Sequence, residues 1–349
     1  MSLRDRLAAQ ITQTGPLTLA QYMSACLHDP QFGYYATRPA LGADGDFITA
    51  PLISQMFGEL IGVWAISAWQ AMGAPARFVL AEMGPGDGTL MSDILRAGRL
   101  APAFLTAADI WLVETSGPLA AVQRERLDDA ATWTTSLDEV PDGAPLLLIA
   151  NELLDCLPVR QFLRTATGWA EQVVGLGKDG ALQFGLVPAG VALPDAREGA
   201  VLEQSAPQVA LGAALGARLV GDGGAALLID YGRAVSGFGD TLQALRRHEK
   251  VDPLACPGEA DLTVHADFPA VMAAAEAAGA RAAILTQGAF LGRLGVGERA
   301  EALMRARPDK ASVIGRQLNR LVGGDQMGEL FKACCLYSPG WTPPAFEDD

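Results

Sequence analysis

Histidine and cysteine are scarce in this chain of 349 residues. The three histidines (His28, His248, His265) and five cysteines (Cys26, Cys156, Cys256, Cys334, Cys335) are scattered, with no CxxC pair. That spacing argues against a zinc site, so no metal is expected. An odd cysteine count also argues against a disulfide framework and for reduced thiols. No segment of bilayer length is free of charge. The closest, 206–229, is interrupted by Arg218 and Asp222 and reads as a helix, a turn and a strand. The start, Met1-Ser2-Leu3-Arg4-Asp5-Arg6, lacks the apolar run of a signal peptide. These absences predict a cytoplasmic protein without membrane insertion. Positive charge is short as well, with 26 Lys and Arg against 40 Asp and Glu, a net charge of -14. Such a chain repels a phosphate backbone, which removes nucleic acid from the expected partners. Oligomeric state is not readable from these features.

What is present is apolar residue in quantity, half of the chain, enough for a sizeable core. Residues 3–28 read as helices broken at Gly15-Pro16, and 52–72 as a helix with Phe57, Leu60, Ile61, Trp64 and Ala68 on one core-facing stripe. Then the rhythm changes to short apolar runs at 78–82, 110–114, 146–151 and 225–230, with helices predicted at 89–97 and 118–127. Near-continuous apolar strands alternating with helices point to an α/β, doubly wound, mostly parallel sheet. Runs at 161–164, 169–174 and 181–186, separated by Gly168 and Asp179-Gly180, predict an inserted antiparallel meander. Strands at 281–285 and 331–337 flank helices at 267–278 and about 297–320. The ending from Pro343 is expected to fray. The division that follows is an N-terminal helical segment (1–75), a first part of the sheet domain (76–160), an inserted meander and helix (161–220) and a second part of the sheet domain (221–349).

Four of the predicted strands end in polar residues: Glu82, Glu114, Asn151 with Glu152, and Asp230. In an open parallel sheet a ligand sits beyond the carboxyl ends of the strands, so one ligand can touch all four. The loop Glu82-Met83-Gly84-Pro85-Gly86-Asp87-Gly88 leads into a helix at Thr89. Gly84, Gly86 and Gly88 allow a sharp turn and close approach to a ligand. The spacing is GxGxG rather than the GxGxxG of a dinucleotide fold. Glu82 and Asp87 would repel a pyrophosphate at the helix N-terminus. An ammonium and a sulfonium suit an acidic loop, which points to S-adenosyl-L-methionine, with Glu114 accepting hydrogen bonds from the ribose hydroxyls.

Gly45-Asp46-Phe47-Ile48-Thr49-Ala50-Pro51, Ile53 to Leu60, the glycine loop with Thr89-Leu90, and Asn151-Glu152-Leu153-Leu154-Asp155-Cys156-Leu157-Pro158 together resemble the MidA-like family. Asp230-Tyr231-Gly232 and Gly258 to Thr263 extend the likeness, which runs from about Leu19 to Tyr337. It departs from the family pattern at Asp87 and Asn151. The resemblance implies a class I methyltransferase fold of Rossmann-like type and S-adenosyl-L-methionine as cofactor. Through the family's mitochondrial complex I assembly factor it implies symmetric dimethylation of an arginine on the large peripheral-arm subunit. A bacterial member would modify the equivalent subunit.

Cofactor-binding residues expected on this reading are Asp46, Phe47, Thr49, Glu82, Gly84, Gly86, Gly88, Thr89, Glu114 and Asn151. Asp46, Phe47 and Thr49 would form a loop closing over the cofactor. Arginine is a cationic, poor nucleophile and needs carboxylates to hold it and take a proton. Glu152 and Asp155 are the expected catalytic pair; a helical turn there would put them on one face. Asp230-Tyr231 and His265-Asp267 are candidates for the acceptor channel, although His265 alone reads first as structural. A cofactor-binding assembly chaperone without catalysis ranks second as a reading. A nicotinamide oxidoreductase on the same fold ranks a distant third.

Overall fold

The computed structural model describes residues 2–37, 49–128 and 130–347. Its centre is an eight-stranded sheet. Seven strands form the continuous path: β1 (Phe78–Met83), β2 (Ala108–Val113), β3 (Thr132–Thr134), β4 (Leu146–Asn151), β5 (Gly224–Arg233), β6 (Arg281–Thr286) and β7 (Phe331–Tyr337). Their spatial order is β6-β7-β5-β4-β1-β2-β3, and the two-residue strand Ala266–Asp267 pairs with β5. Neighbours pair in parallel except β7, which runs antiparallel to both β5 and β6. Chain order reverses between β1 and β4. That switch point opens a crevice at the carboxyl ends of the strands, where a ligand finds room between diverging loops.

The sheet is covered on both faces, which is why its central strands are almost wholly apolar. One face packs Trp64, Phe78, Phe104, Leu147 and Leu227 into a single cluster, and the other packs Val79, Leu148, Leu215, Phe268 and Leu336. The helix Gln55–Ala71 lies so close to Thr89–Gly98 that a Cβ at Gly58 would meet the Asp93 side chain at 2.5 Å. Glycine on this helix is therefore a packing choice that brings the glycine-loop helix tight against the core.

Outside the sheet, a third cluster joins the N-terminal helices Leu3–Thr14 and Leu19–His28 to the inserted strands. Leu17–Thr18 adds directly to the meander by pairing antiparallel with Gly168–Leu176. The helix break at Gly15-Pro16 and the helix, turn and strand over 206–229 stand as expected. Three expectations need correction, and one sheet was not anticipated. The 52–72 helix is two helices, Ala50–Ile53 and Gln55–Ala71, divided at Ser54, whose extended backbone caps the second through its side chain. The meander gains a fourth strand, Val201–Gln204. A separate three-stranded sheet occupies Gln243–Arg246, Glu249–Val251 and Asp261–Thr263. The ending is also not frayed over 343–346: Phe346 is buried against Phe290 and the Trp64 indole N–H donates to the Pro344 carbonyl. Among the described residues no helix is long and apolar enough to cross a membrane.

Candidate active site

A cavity of about 730 Å³ opens at the switch point. Its floor is the glycine loop and the ends of β1, β2 and β4. Its opposite wall is the N-terminal segment, with His28, Tyr35 and Thr49. Of the residues expected to bind cofactor, Thr49, Glu82, Gly84, Gly86, Glu114 and Asn151 line this cavity, and so do Glu152 and Asp155. Asp46 and Phe47 lie outside the described residues.

The loop keeps Gly84, Gly86 and Gly88 at φ values of 63°, 57° and 81°, a region that disfavours any side chain. A Cβ at Gly84 would also press on Leu153 at 3.0 Å, and Leu153 belongs to the loop after β4. The two loops thus interlock. Gly88 and Thr89 do not line the cavity. Gly88 backs onto Gln123 and Arg126, and among the described residues the buried Thr89 hydroxyl has no hydrogen-bond partner.

Asp87 behaves differently from the expectation for an acidic loop. Its carboxylate accepts the Thr89 backbone N–H at 3.0 Å and pairs with Arg126 at 2.9 Å. That charge is spent on capping the helix and on a cation of the fold. Beside it on the cavity wall, Glu82 and Glu114 have no ion-pair partner among the described residues. Glu82 is only 2% exposed, and among the described residues its Oε2 has no hydrogen-bond partner. Burial, reinforced by Asp87 and Glu114, pushes its carboxyl up to about 8. Glu114 follows β2 directly, and its carboxylate accepts Ser116 N–H at 2.7 Å and the Gln123 amide at 3.0 Å. Burial raises its pKa too.

Gln123 went unnoticed in the sequence. It is fully buried, and its Nε2 donates to the Gly86 carbonyl (2.7 Å) as well as to Glu114, while its Oε1 accepts the Trp133 indole N–H (3.0 Å). One amide thereby fixes the glycine loop, the acid after β2 and the β3 tryptophan. A glutamine inside an ordinary helical stretch carries no pattern that separates it from a surface residue.

After β4 the chain does not become helical. Glu152 sits at φ 53° and the next residues bend, so the expected helical face shared by Glu152 and Asp155 is absent. Asp230, fully buried at the end of β5, organises the bend instead. Its Oδ2 accepts the backbone N–H groups of Leu154 (2.8 Å) and Asp155 (3.1 Å). Both expected catalytic carboxylates still reach the cavity. Glu152 accepts N–H groups from Ala50 and from Asn151 Nδ2, each at 3.2 Å, and burial with the nearby Asp155 pushes it up to about 7. Asp155 accepts the Tyr231 hydroxyl at 2.7 Å; burial pushes it up to about 6 against that hydrogen bond. Asp230 is raised further by burial and by its two acidic neighbours. Among the described residues none of the three has an ion-pair partner, and Arg320 offsets Glu152 only through space.

The other candidates for the acceptor channel stand back from it. Asp230 and Tyr231 lie behind Asp155. His265 packs edge-on to Tyr231, and Asp267 caps the helix Phe268–Ala277. None of the four lines the cavity. Among the described residues no cluster of three His, Cys, Asp or Glu side chains is placed to hold a metal.

Residues 60–286 match a family model described as S-adenosyl-L-methionine-dependent methyltransferase. The chain is 34% identical to "Protein arginine methyltransferase NDUFAF7, mitochondrial" of Danio rerio, over 95% of this chain and 86% of that one. The human protein of the same name is 34% identical over 95% of this chain and 82% of its own. A Burkholderia thailandensis protein whose crystal structure contains S-adenosyl-homocysteine superposes with a TM-score of 0.86 at 27% identity, covering 99% of this chain and 92% of that one. The expectation of a cytoplasmic protein is overturned here, because the fish, fly and human relatives are mitochondrial proteins.

Proposed function

The chain belongs to the S-adenosyl-L-methionine-dependent methyltransferase family, and from that membership we propose that it is a protein-arginine N-methyltransferase whose acceptor is the large peripheral-arm subunit of respiratory complex I. The observation that carries the acceptor class is the trio Glu152, Asp155 and Asp230: Asp155 and Asp230 buried, Glu152 partly buried, drawn together beyond the sheet's central strands with no ion-pair partner among the described residues. Holding such charges apart from water is expensive unless a positive group completes them. A guanidinium is planar, permanently charged and rich in donors, and it suits this cluster. The relatives' printed names support the same class.

The cavity suits the cofactor as well. Among the described residues Glu82 Oε2 and Asn151 Oδ1 are buried acceptors without a donor, and the glycine loop leaves its backbone open to close approach. We assign Glu82, Gly84, Gly86, Glu114 and Asn151 to hold it, with Gly88 and Thr89 shaping the loop. Thr49, with Asp46 and Phe47 beside it in sequence, is assigned to cover it. When bound, S-adenosyl-L-methionine supplies an electrophilic methyl on a sulfonium.

Glu152 and Asp155 then have two tasks. Their carboxylates hold the guanidinium by charge-assisted hydrogen bonds and fix which terminal nitrogen points at the methyl. As that nitrogen gains carbon, it loses a proton. Glu152, poised near 7, accepts the proton and passes it to water.

The test is transfer of label from methyl-tritiated S-adenosyl-L-methionine by the purified protein to that subunit, read by mass spectrometry. The expected product carries its new methyl groups on arginine. A folded, cofactor-bound protein that labels no arginine of the subunit contradicts the proposal and leaves the assembly-chaperone reading in its place.

A further inference from the structure

Tyr231 touches the acceptor carboxylate without facing the cavity. Its hydroxyl donates to Asp155 Oδ2 at 2.7 Å, yet its side chain is not part of the cavity wall. The ring is fixed from several sides. His265 packs edge-on at 5.6 Å between centroids, and Phe331, its register partner on β7, lies at 5.4 Å. The Tyr231 backbone N–H donates to Asp230 Oδ1 at 2.8 Å, the same carboxylate that holds the Asp155 backbone. Asp155 is thus gripped at its main chain by Asp230 and at its side chain by the neighbouring residue of β5. Such a grip leaves little rotational freedom to an acid that must meet a planar guanidinium in one orientation.

We propose that Tyr231 is a positioning residue for the acceptor: its hydroxyl, reaching Asp155 from behind the cavity wall, keeps that carboxylate turned toward the incoming guanidinium. This rests on the arginine reading above. The hydroxyl also favours the charged form of Asp155, against the acids and polar groups around it. These are Glu152 and Cys156 on its own loop, Asp230 on β5, Tyr35 on the helix Tyr34–Thr37 and Asp261 at the start of the strand Asp261–Thr263. Loss of the hydroxyl removes the one side-chain hydrogen bond that holds the Asp155 carboxyl down, so Asp155 loses its charge at higher pH than before.

The experiment is calorimetric binding of methylguanidinium to the full chain saturated with S-adenosyl-homocysteine, repeated from about pH 5 to about pH 8. In the wild type, affinity rises with pH in two steps, a lower one near 6 as Asp155 ionises, whose midpoint is the one followed, and an upper one near 7 as Glu152 ionises. In Tyr231→Phe the midpoint moves up by about one pH unit, and affinity at neutral pH falls about three- to tenfold, with affinity for S-adenosyl-homocysteine unchanged. Site-specific 3,5-difluorotyrosine at position 231, a stronger donor, moves the midpoint down, and it decides the matter alone if Tyr231→Phe does not fold. A purely structural tyrosine lowers the melting temperature and leaves both midpoints in place; that result overturns the inference. A wild type that binds no methylguanidinium overturns the inference and the arginine reading together. Binding by the wild type with midpoints indifferent to residue 231 overturns the inference alone.

Discussion

Asp87 and Glu152 each follow a strand of the sheet, sit in a tight turn and face the same cavity, yet the fold treats their charges in opposite ways. Asp87 is bound to Arg126 and caps a helix. Glu152 is held at φ 53°, receives only two long N–H contacts and has no cation partner among the described residues. The first carboxylate stabilises the protein. The second is a cost that a protein retains where a ligand completes it. Glu82 falls on the side of Glu152, so the segment from Glu82 to Gly88 contains one acid of each kind, five residues apart. Negative charge in a sequence motif is a guide to ligand charge only after the fold's own cations have been subtracted.

The sharpest way to break this comparison is to remove the unpaired charges. Glu152→Gln combined with Asp155→Asn should slow methyl transfer by about two to four orders of magnitude, through lost acceptor binding and lost proton removal. Cofactor affinity should stay unchanged. Single-turnover rates with calorimetry on the same preparation separate the two effects; a double variant that retains most of its rate places the acceptor elsewhere.

The next effect is on stability and runs with pH. Burial holds Glu82 (about 8), Glu152 (about 7) and Asp155 (about 6) above the ordinary carboxylate values of 4.5, 4.5 and 3.8. In that window the folded state binds protons that the unfolded state has released, so stability of the cofactor-free protein falls as pH rises from about 4.5 to about 8. The loss is on the order of a few kcal/mol. A cationic cofactor beside Glu82 reverses the sign for that group, so stabilisation by S-adenosyl-L-methionine should grow as pH rises toward about 8. Melting curves at acid and alkaline pH, with and without cofactor, check both slopes; a free protein that gains stability through this window contradicts the burial of these charges.

Smaller effects sharpen the comparison within the cofactor half. Gln123→Leu strands the Gly86 carbonyl and frees Glu114, and should weaken cofactor binding by about 1–2 kcal/mol. Titration calorimetry reads it directly, and unchanged affinity would make Gln123 a packing residue alone. Arg126→Gln should do least. It removes a partly exposed partner from Asp87 and should cost at most about 1 kcal/mol of stability by denaturant unfolding, with little change in cofactor affinity. A large loss of cofactor affinity there would mean that Asp87 belongs with the ligand after all.

How much of this was legible in the sequence follows from how local each feature is. The apolar runs at 146–151 and 225–230 marked central strands because both of their faces are covered, and the glycine loop announced itself because its three alternate positive-φ positions, 84, 86 and 88, demand glycine. Glu82, Glu114, Glu152 and Asp230 were legible as strand-end acids, since a parallel sheet gathers its carboxyl ends on one side, and Asp155 only through its spacing from Glu152. What was hidden depends on partners far away in the chain. Asp87 looked like part of a cation site until Arg126, 39 residues on, proved to pair with it. The helical turn expected after Asn151 was replaced by a bend because Asp230 claims its backbone N–H groups from β5. The chain end seemed free because its anchors, Trp64 and Phe290, lie in distant helices.

The most direct measurement is a crystal structure of the protein with S-adenosyl-homocysteine and an arginine peptide from the proposed subunit. The account predicts the ribose beside Glu114, the amino-acid portion over the glycine loop near Glu82, and the guanidinium between Glu152 and Asp155 with one terminal nitrogen turned to the sulfur. A guanidinium bound away from both carboxylates, with Glu152 and Asp155 facing only water, would contradict it.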